Sequence, residues 1–209
     1  MRQPYAILAG AGGHALSLME FAGERIYGYL APDSSTVMSK PWLGTDDDAR
    51  RFVEEGYPIH IAFVYAGLPL MHKRAALIKR YEEAGAGFET LIAPTAIVTP
   101  NARIGEGTAV MAGAIVNRAI LQSHVIVNSG AIVEHDCLIG ENTFIGPGAV
   151  IGGFTEIGRD CFIGLGARVG NNIKIGPGIT VAMGAVVNKN LEEPGIYHGF
   201  PLRHFKVKS

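Results

Sequence analysis

The chain has 209 residues, of which 48% are hydrophobic and 18% charged, which is ample for one large or two modest globular domains. Its formal net charge is -1 and no block of basic residues occurs, so nothing indicates a nucleic acid or an anionic membrane as partner. The two cysteines, Cys137 and Cys161, form neither a disulfide framework nor a metal-ligand spacing, and there is no signal peptide or membrane-length apolar run, so we expect a cytoplasmic protein.

The N-terminal segment is typical of the opening of a nucleotide-binding α/β unit. A short apolar run, Tyr5 to Ala9, is followed by the glycine turn Gly10-Ala11-Gly12-Gly13-His14 and by the helix-forming stretch ALSLMEFAG. At the start of such a helix, free N–H groups and the positive dipole end accept a phosphate. We therefore predict phosphate binding at Gly12, Gly13 and His14. The alternatives are a βα turn without a ligand and, for His14, an ordinary surface residue.

Alternating strands and helices continue as far as Ile92 and predict a small parallel α/β domain over residues 1–93. A Rossmann fold presents an acidic residue to a ribose after its second strand, but here Ala31-Pro32 stands there, which argues against ordinary NAD binding. Thr45 is a candidate N-cap for a helix that begins with three aspartates. The predicted elements after the first helix are a strand from Arg25 to Leu30, the helix DDDARRFVEEG, a strand from Ile59 to Tyr65, a helix from Pro69 to Ala84 and a strand from Phe88 to Ile92.

The second half of the chain repeats every six residues. All twelve positions of the series are aliphatic: Leu121, Val127, Val133, Ile139, Ile145, Ile151, Ile157, Ile163, Val169, Ile175, Val181 and Val187. A six-residue period rich in glycine and β-branched residues fits an α-helix badly and predicts a solenoid of short strands, with three hexads to a coil of ~18 residues. We assign residues 94–190 to this parallel β-helix and residues 191–209 to a C-terminal tail. Earlier members are Ile97, Ile104, Val110 and Val116, so the first step has seven residues and the step to Leu121 has five, which we interpret as corner bulges or loops.

Because the interior of a solenoid is filled, chemistry must lie on its outer surface. The stretch from Asn128 to Asp136 ends with Glu134-His135-Asp136, and His135 follows the inward Val133 by two residues, which places it at a corner. A histidine beside a carboxylate can act as a general base near neutral pH. Without other information, a solvated surface histidine is the simpler interpretation.

The segment NSGAIVEHDCLIG resembles the catalytic-histidine segment of one group of hexapeptide-repeat acyltransferases, and Gly10-Ala11-Gly12-Gly13-His14 is similar to that group's N-terminal motif. The group comprises sialic acid O-acetyltransferases and N-acetyltransferases of nucleotide-linked 4-amino-4,6-dideoxy sugars. The resemblance covers nearly the whole chain. It implies a Rossmann-like domain followed by a left-handed β-helix, and a homotrimer that uses acetyl-CoA without a metal in lipopolysaccharide or glycan biosynthesis.

The resemblance also implies roles for particular residues. His135 is expected to remove a proton from the attacking sugar amine while Asp136 orients it, and the amide of Gly153, one coil further on, is expected to stabilise the oxyanion. Leu165 and Met183 are expected to contact the pantetheine arm between subunits. Ordinary packing between the subunits of a trimer is an alternative role for both residues. The nucleotide of the acceptor is expected at Gly12, Gly13 and His14.

The sequence departs from the pattern of the group in three places. Phe144 stands where many members have a second histidine that contacts acetyl-CoA, and Ala31-Pro32 replaces paired acids that read the base or ribose of the acceptor. Near the C-terminus, Gly199-Phe200-Pro201-Leu202-Arg203 is similar to a closing segment that usually has alanine in place of Leu202. The identity of the nucleotide therefore stays open.

Three other functions compete with sugar N-acetylation. The first is O-acetylation of sialic acid or a related sugar by the same base. The second is a non-catalytic trimeric scaffold or sugar-binding module. The third, a metal-dependent β-helix like a carbonic anhydrase, needs three histidines at an interface, whereas His124 is the one other histidine of the repeats.

Overall fold

The computed structural model describes residues 3–64, 68–199 and 203–205, with side chains omitted for 68–70 and 203–205. By its internal contacts the chain divides into two compact units, residues 1–65 with 73–91 and residues 66–72 with 92–209. The domain boundaries at residues 93 and 190 stay predictions. No helix in the described part of the chain is long and apolar enough to span a membrane.

The first unit is built on a parallel sheet of three strands, as far as the described residues show. The strands are β1 (Ala6–Ala9), β2 (Ile26–Leu30) and β3 (Ile59–Ile61), in the order β2-β1-β3. β1 is buried at every residue, as its apolar sequence predicts for a central strand. The helices are α1 (Gly13–Ala22), α2 (Ala49–Glu54) and α3 (Leu68–Glu83), with 3-10 turns at Gly23–Arg25 and Asp46–Asp48.

Thr45 is the predicted N-cap, and the structure confirms it. Its hydroxyl accepts the N–H of Asp47 at 3.2 Å, while the carboxylate of Asp48 accepts the N–H of Thr45 at 2.8 Å, which completes a capping box. The first turn is a 3-10 turn and the α-helix begins only at Ala49, so the predicted single helix has two parts.

The last strand predicted for the α/β domain, Phe88 to Ile92, is wrong as a single element. Phe88 forms an isolated parallel bridge with Ile59, and the strand that forms is Leu91–Ile92, at the edge of a β-helix sheet. The apolar run therefore contacts the sheet of the first unit at Phe88 and joins a β-helix sheet at Leu91–Ile92. Of the strand predicted from Ile59 to Tyr65, Ile59–Ile61 forms, and Tyr65 lies outside the described residues.

The second unit is a left-handed parallel β-helix with three faces, which are visited in turn by the chain. Ile126 pairs with Phe144 and Phe144 with Phe162, so a regular coil takes eighteen residues. The first face, within the described ranges, contains Leu91–Ile92, Ala109–Val110, Ile126–Val127, Phe144–Ile145, Phe162–Ile163, Ile179–Val181, Gly195–His198 and Arg203–Phe205. The second contains Ile97–Val98, Ile115–Val116, Ile132–Val133, Val150–Ile151, Arg168–Val169 and Val186–Val187. The third contains Arg103–Ile104, Ile120–Leu121, Leu138–Ile139, Glu156–Ile157 and Lys174–Ile175.

The core of the β-helix is the predicted column of aliphatic side chains. All twelve positions from Leu121 to Val187 are buried, and the small residues two positions before them fill the space between. Cys137 and Cys161 are two of these small residues, and each thiol donates to a carbonyl of the next coil, that of Gly152 or Gly176. Burial raises the pKa of Cys137 to about 11 and that of Cys161 to about 12, so both stay protonated and unreactive.

Two irregular steps of the repeat have different explanations. Ile97 is 58% exposed, and Val98 packs against the core in its place, so the seven-residue step was a wrong choice of inward residue. The five-residue step is real. Arg103 pairs with Ile120 and Ile115 with Ile132, seventeen residues apart, because the hexad that contains Arg118 has lost one turn residue. It is a shortened corner and not a bulge.

The segment after Val187 continues the β-helix. Leu191 bridges to Ile175, and Gly195–His198 pairs in parallel with the strand Ile179–Val181. Tyr197 is buried as part of the core cluster. Of the predicted closing segment, Phe200, Pro201 and Leu202 lie outside the described residues.

Candidate functional site

His135 lies at the second corner of the β-helix, where the chain passes from the second face to the third. The inward residue Val133 precedes it, and Asp136 takes a left-handed conformation with φ of 59° to turn the chain. The side chain of His135 is 46% exposed and that of Asp136 is 34% exposed. The hexad pattern thus puts both side chains outside the filled core.

Asp136 connects the imidazole to a guanidinium. Its Oδ2 lies 3.1 Å from Nδ1 of His135, and its Oδ1 accepts from Nη2 of Arg118 at 3.1 Å. The hydrogen bonds from His135 and then from Arg118 lower the pKa of the Asp136 carboxyl. A carboxylate that stays ionised only accepts, so Nδ1 of His135 carries the proton and Nε2 presents its lone pair.

Glu134 braces the same turn. Its Oε2 accepts from Nδ2 of Asn117 at 3.1 Å and from the backbone N–H of His135 at 3.3 Å. Asn117 and Arg118 belong to the shortened hexad, one coil before His135. Sequence reasoning assigned no role to either residue, although Arg118 precedes Asp136 by one regular coil and could have been found from that spacing.

Gly153 lies directly beneath the imidazole. A Cβ added at Gly153 would be 2.7 Å from both Cε1 and Nε2 of His135, which is closer than side chains approach one another. The ring of Phe154 meets the imidazole edge to face, with 5.1 Å between ring centroids. The absent side chain of Gly153 and the ring of Phe154 together position the imidazole.

The second corner differs from the first corner, where the chain passes from the first face to the second. The first corner turns on glycines with φ between 63° and 69°, namely Gly113, Gly130, Gly148, Gly166 and Gly184. The second corner uses Arg118, Asp136, Phe154 and Asn172 in the same left-handed region. Arg118 and Phe154 adopt this conformation at a cost of about 1–2 kcal/mol each, whereas Asp136 and Asn172 adopt it more readily. This corner therefore carries side chains where the first corner has glycine.

Leu165 and Met183 lie one coil apart on the first corner. Leu165 is 49% exposed and Met183 is 75% exposed, and the N–H of Gly184 donates to the carbonyl of Leu165. They form an apolar strip on the outer surface. Neither residue belongs to the second corner that carries His135.

Phe144 stands at the position where the resemblance predicts a histidine in many relatives. Its side chain is buried on the first face and stacks on Phe162, with 4.8 Å between ring centroids and 7° between planes. A hydrogen bond to a thioester from this position is excluded, because the phenyl ring has no donor.

In the first unit, Gly12 and Gly13 form the exposed start of α1. A Cβ added at either would meet nothing within 4 Å, and neither has a positive φ, so the fold does not require glycine at these positions. Gly10 differs, because its φ is 124° and an added Cβ would lie 3.0 Å from the carbonyl oxygen of Ala62. The open surface at Gly12 and Gly13 permits close approach of a ligand to the backbone.

His14 follows these glycines, and its Nε2 is turned into the protein. Burial, together with the neighbouring His60 and Arg74, lowers the pKa of His14 to about 3. The imidazole is therefore uncharged at neutral pH, and it can meet a phosphate or sugar by hydrogen bonding but not as a cation. His60 and Arg74, both buried, were not noticed in the sequence because each lies within a stretch that reads as ordinary core or helix surface.

A cavity of about 190 Å³ opens at the carboxyl ends of β1 and β2. Such ends are where ligands bind in parallel α/β sheets. Ala31 and Pro32 contribute apolar walls, and Asp46 and Lys73 contribute charged groups. One oxygen of Asp46 accepts the hydroxyl of Tyr81 at 2.7 Å. No group of three or more His, Cys, Asp or Glu side chains that could hold a metal ion occurs in the ranges that the structure describes.

Comparison with known proteins supplies relatives for this fold. The profile of the family described as bacterial transferase hexapeptide (six repeats) matches residues 118–153. The acetyltransferase domain of PglB from Neisseria gonorrhoeae, solved in complex with acetyl coenzyme A, is 30% identical with a TM-score of 0.88; the match covers 97% of this chain and 100% of that one. PerB from Caulobacter crescentus, solved with CoA and GDP-perosamine, is 30% identical with a TM-score of 0.88 and 97% coverage of both chains.

WeeI from Acinetobacter baumannii shares the fold at 22% identity, with a TM-score of 0.79 over 96% of this chain and 99% of its own. The likeness to the first two proteins extends over both units at 30% identity. By its repeats, its two-unit fold and these relatives, the chain belongs to the hexapeptide-repeat family of sugar N-acetyltransferases.

Proposed function

We propose that this chain transfers the acetyl group of acetyl-CoA directly to the C4 amine of a nucleotide-linked 4-amino-4,6-dideoxy sugar, with His135 as the general base. The observation that carries the proposal is the hydrogen-bonded series Arg118–Asp136–His135, whose last imidazole presents Nε2 beside Gly153. Relatives at 30% identity were solved with acetyl coenzyme A and with CoA plus GDP-perosamine, which supports both substrates. The product would serve lipopolysaccharide or glycan biosynthesis.

In this reaction Nε2 of His135 accepts a proton from the sugar amine as its nitrogen bonds to the thioester carbon. The backbone amide of Gly153 stabilises the negative charge that develops on the carbonyl oxygen. The C–S bond then breaks, and His135 returns the proton to the departing thiolate. Asp136 holds the imidazole in the required tautomer throughout. No acyl-enzyme is needed, because both cysteines are buried and protonated.

For the acceptor, we propose that the diphosphate contacts the exposed backbone at Gly12 and Gly13. The absence of any structural need for glycine there supports this assignment. We propose that His14, as a neutral ring, forms a hydrogen bond with a hydroxyl group of the acceptor. For acetyl-CoA, we propose that the pantetheine arm runs over the exposed side chains of Leu165 and Met183.

We further propose that the protein is a homotrimer. The second face of the β-helix presents outward side chains that are apolar and exposed or half-buried: Ile97, Ile115, Ile132, Val150 and Val186. The series is continuous from Ile97 to Val150, and the exposed Arg168 then separates Val150 from Val186. An apolar ladder of this kind is suited to covering by copies of the same chain. In such a trimer the first corner of one subunit would approach the second corner of the next. This arrangement would bring Leu165 and Met183 of one subunit toward His135 of another.

The decisive experiment measures thiol release from acetyl-CoA with UDP-, dTDP- and GDP-linked 4-amino sugars, for the natural chain and for His135→Asn. We expect activity with one nucleotide class and a loss of kcat on the order of 10²–10⁴ in the variant, because a general base contributes that much. The matched control is His72→Asn, since His72 is exposed on α3. Activity that survives in His135→Asn would contradict the assignment of the base.

O-acetylation of sialic acid uses the same base and is the second candidate. The open glycine surface at Gly12 and Gly13 favours the nucleotide-linked acceptor, because free sialic acid has no diphosphate to place there. Adding free sialic acid to the same panel distinguishes the two reactions. A non-catalytic scaffold would release no thiol with any acceptor.

A further inference from the structure

The first unit contains two buried imidazole nitrogens, one in His14 and one in His60, and His60 is close enough to His14 to lower its pKa. His60 lies in the middle of β3 and is fully buried, and His14 is the second residue of α1. The Nε2 atom of each is shielded from solvent, and neither has a partner among the residues described. Buried polar atoms in native proteins almost always have partners, so this pair calls for a bound group.

The hydrogen bonding of His60 determines which nitrogen is available. Its Nδ1 lies 2.8 Å from the carbonyl oxygen of Glu89. A carbonyl only accepts, so Nδ1 carries the hydrogen, and in the neutral ring Nε2 is then an acceptor with a lone pair. His60 therefore needs a donor at Nε2.

The guanidinium of Arg74 is a positively charged neighbour of both imidazoles. Its side chain is almost fully buried, and its Nε donates to the carbonyl of Phe63 at 3.0 Å. Burial and the charge of Arg74 lower the pKa of His60 to about 4, while the hydrogen bond to Glu89 acts in the opposite direction. With His14 lowered to about 3, both rings are neutral at physiological pH.

We propose that Nε2 of His14 and Nε2 of His60 together hold a single hydroxyl group. The hydroxyl hydrogen is donated to His60, and its oxygen accepts from His14, whose Nε2 then carries the hydrogen. A fully ionised phosphate oxygen has no hydrogen to donate to the lone pair on Nε2 of His60, so the hydrogen bond at His60 requires a hydroxyl. In consequence Nδ1 of His14 is left as an acceptor at the start of α1.

The hydroxyl has two sources, a buried water or a hydroxyl of the acceptor sugar, and the second source rests on the proposed function. A water needs two to four polar partners, and the two imidazoles supply that minimum. A sugar hydroxyl would instead make His60 a determinant of acceptor binding. His60 is then a binding residue that has no counterpart in the sequence motif.

The first test reads the proton positions directly. The full chain is labelled with ¹⁵N-histidine, and the ring nitrogens are observed by NMR at neutral pH with and without the nucleotide-linked amino sugar. We expect His60 to be protonated at Nδ1 and hydrogen-bonded at Nε2 in at least one of the two states. Protonation of His60 at Nε2 in both states overturns the proposal.

The second test distinguishes the sources. Crystal structures of the full chain without and with the acceptor should show density between the two Nε2 atoms. Density in both states identifies a water, and a sugar hydroxyl in the second identifies the acceptor. No density in either state overturns the proposal.

Kinetics of His60→Leu provide an independent readout. If the acceptor supplies the hydroxyl, we expect its KM to rise about tenfold or more while the KM for acetyl-CoA is unchanged; if a water does, both KM values hold and the melting temperature falls. The control is His72→Leu. A variant that matches the natural chain in both KM values and in melting temperature contradicts the proposal. If the natural chain transfers no acetyl group, the proposed function fails while the NMR and crystal tests of the site still stand.

Discussion

The imidazole of His135 lies against the backbone of Gly153, one coil further along the second corner. Because the space that a Cβ would take is filled by Cε1 and Nε2 of His135, this contact depends on the absence of one methyl group. At Gly170 of the same corner, an added Cβ would meet nothing closer than 3.5 Å. The two glycines therefore form a natural pair for comparison.

We expect Gly153→Ala to lower kcat by about 100-fold or more, because the added methyl displaces the imidazole from its hydrogen bond with Asp136. The fold should survive, since the side chain of His135 is partly exposed and can rotate away. Steady-state kinetics with circular dichroism as a folding check measure both effects. Gly170→Ala should retain kcat, and an equal loss in that control would point to a general disturbance of the corner.

Arg118 gives the second prediction at this scale. Its hydrogen bond helps to lower the pKa of Asp136, so replacement by methionine should raise that pKa. The carboxylate would then become protonated at a higher pH. The acidic side of the profile of kcat against pH should therefore shift to higher pH. A profile identical to that of the natural chain would show that Asp136 is held by His135 alone.

At the scale of elements, the strands of the β-helix are only two residues long in most coils, so their stability comes from the inward column. Ile151 is fully buried in this column, whereas Ile120 is 42% exposed on the third face. Both are isoleucines in two-residue strands. Their difference in burial separates core packing from strand propensity.

We expect Ile151→Ala to lower the free energy of unfolding by about 2–5 kcal/mol, because a buried methylene cluster is lost and a cavity remains. Ile120→Ala should cost less than about 1 kcal/mol. Urea unfolding followed by circular dichroism gives both values. Equal losses would mean that the column is not the main source of stability.

β3 carries a pH dependence through His60. The pKa of His60 is about 4 in the folded chain against an ordinary 6.5, so the unfolded chain binds more protons between these values. The contribution of the neutral His60 to the free energy of unfolding is therefore fully present above pH 6.5, and it is lost as the pH falls toward 4.

In that window His60 should contribute about 1.4 kcal/mol of unfolding free energy per pH unit. The slope should fall by that amount in His60→Leu, measured by urea unfolding at several pH values. His72→Leu, in which an exposed histidine is removed, should keep the original slope. An unchanged slope in His60→Leu would show that folding does not lower the pKa of His60.

At the scale of the whole molecule, the apolar ladder on the second face is the feature that calls for other subunits. Ile132 lies in the middle of this ladder and is half-buried, while Val133 beside it points inward. A charge at position 132 would disturb the outer surface without entering the core. It would therefore act on assembly and not on folding.

We expect Ile132→Glu to convert the proposed trimer to monomers and to abolish acetyl transfer while the circular dichroism spectrum is retained. Light scattering and the thiol-release assay measure the two effects, and Ile120→Glu on the third face is the control. A monomeric natural chain with full activity would contradict the trimer proposal.

Much of the fold could be read from the repeat, because every hexad obeys the same rule and errors do not propagate. The errors that did occur lie where the rule changes, at Val98, at the shortened hexad of Arg118 and at the strand Leu91–Ile92. At the first and the last of these points a neighbouring apolar residue offered an equally good pattern, and at the hexad of Arg118 the five-residue step was right but its interpretation as a bulge was wrong. Only pairing with the next coil distinguishes them.

The periodic order of aliphatic and small residues was sufficient to predict the β-helix. A strand two residues long can bury only one side chain, and the repeat identifies which residue that is. The position of His135 at a corner followed from the same count. Gly153 was predicted from the coil spacing as well. The ring of Phe154 against the imidazole and the bond of Arg118 to Asp136 were decided by tertiary structure, since these groups meet only when the coils stack. The same holds for His14, His60 and Arg74, which come from three separate elements. Their hydrogen bonding and charge depend on burial, and burial is a property of the folded chain.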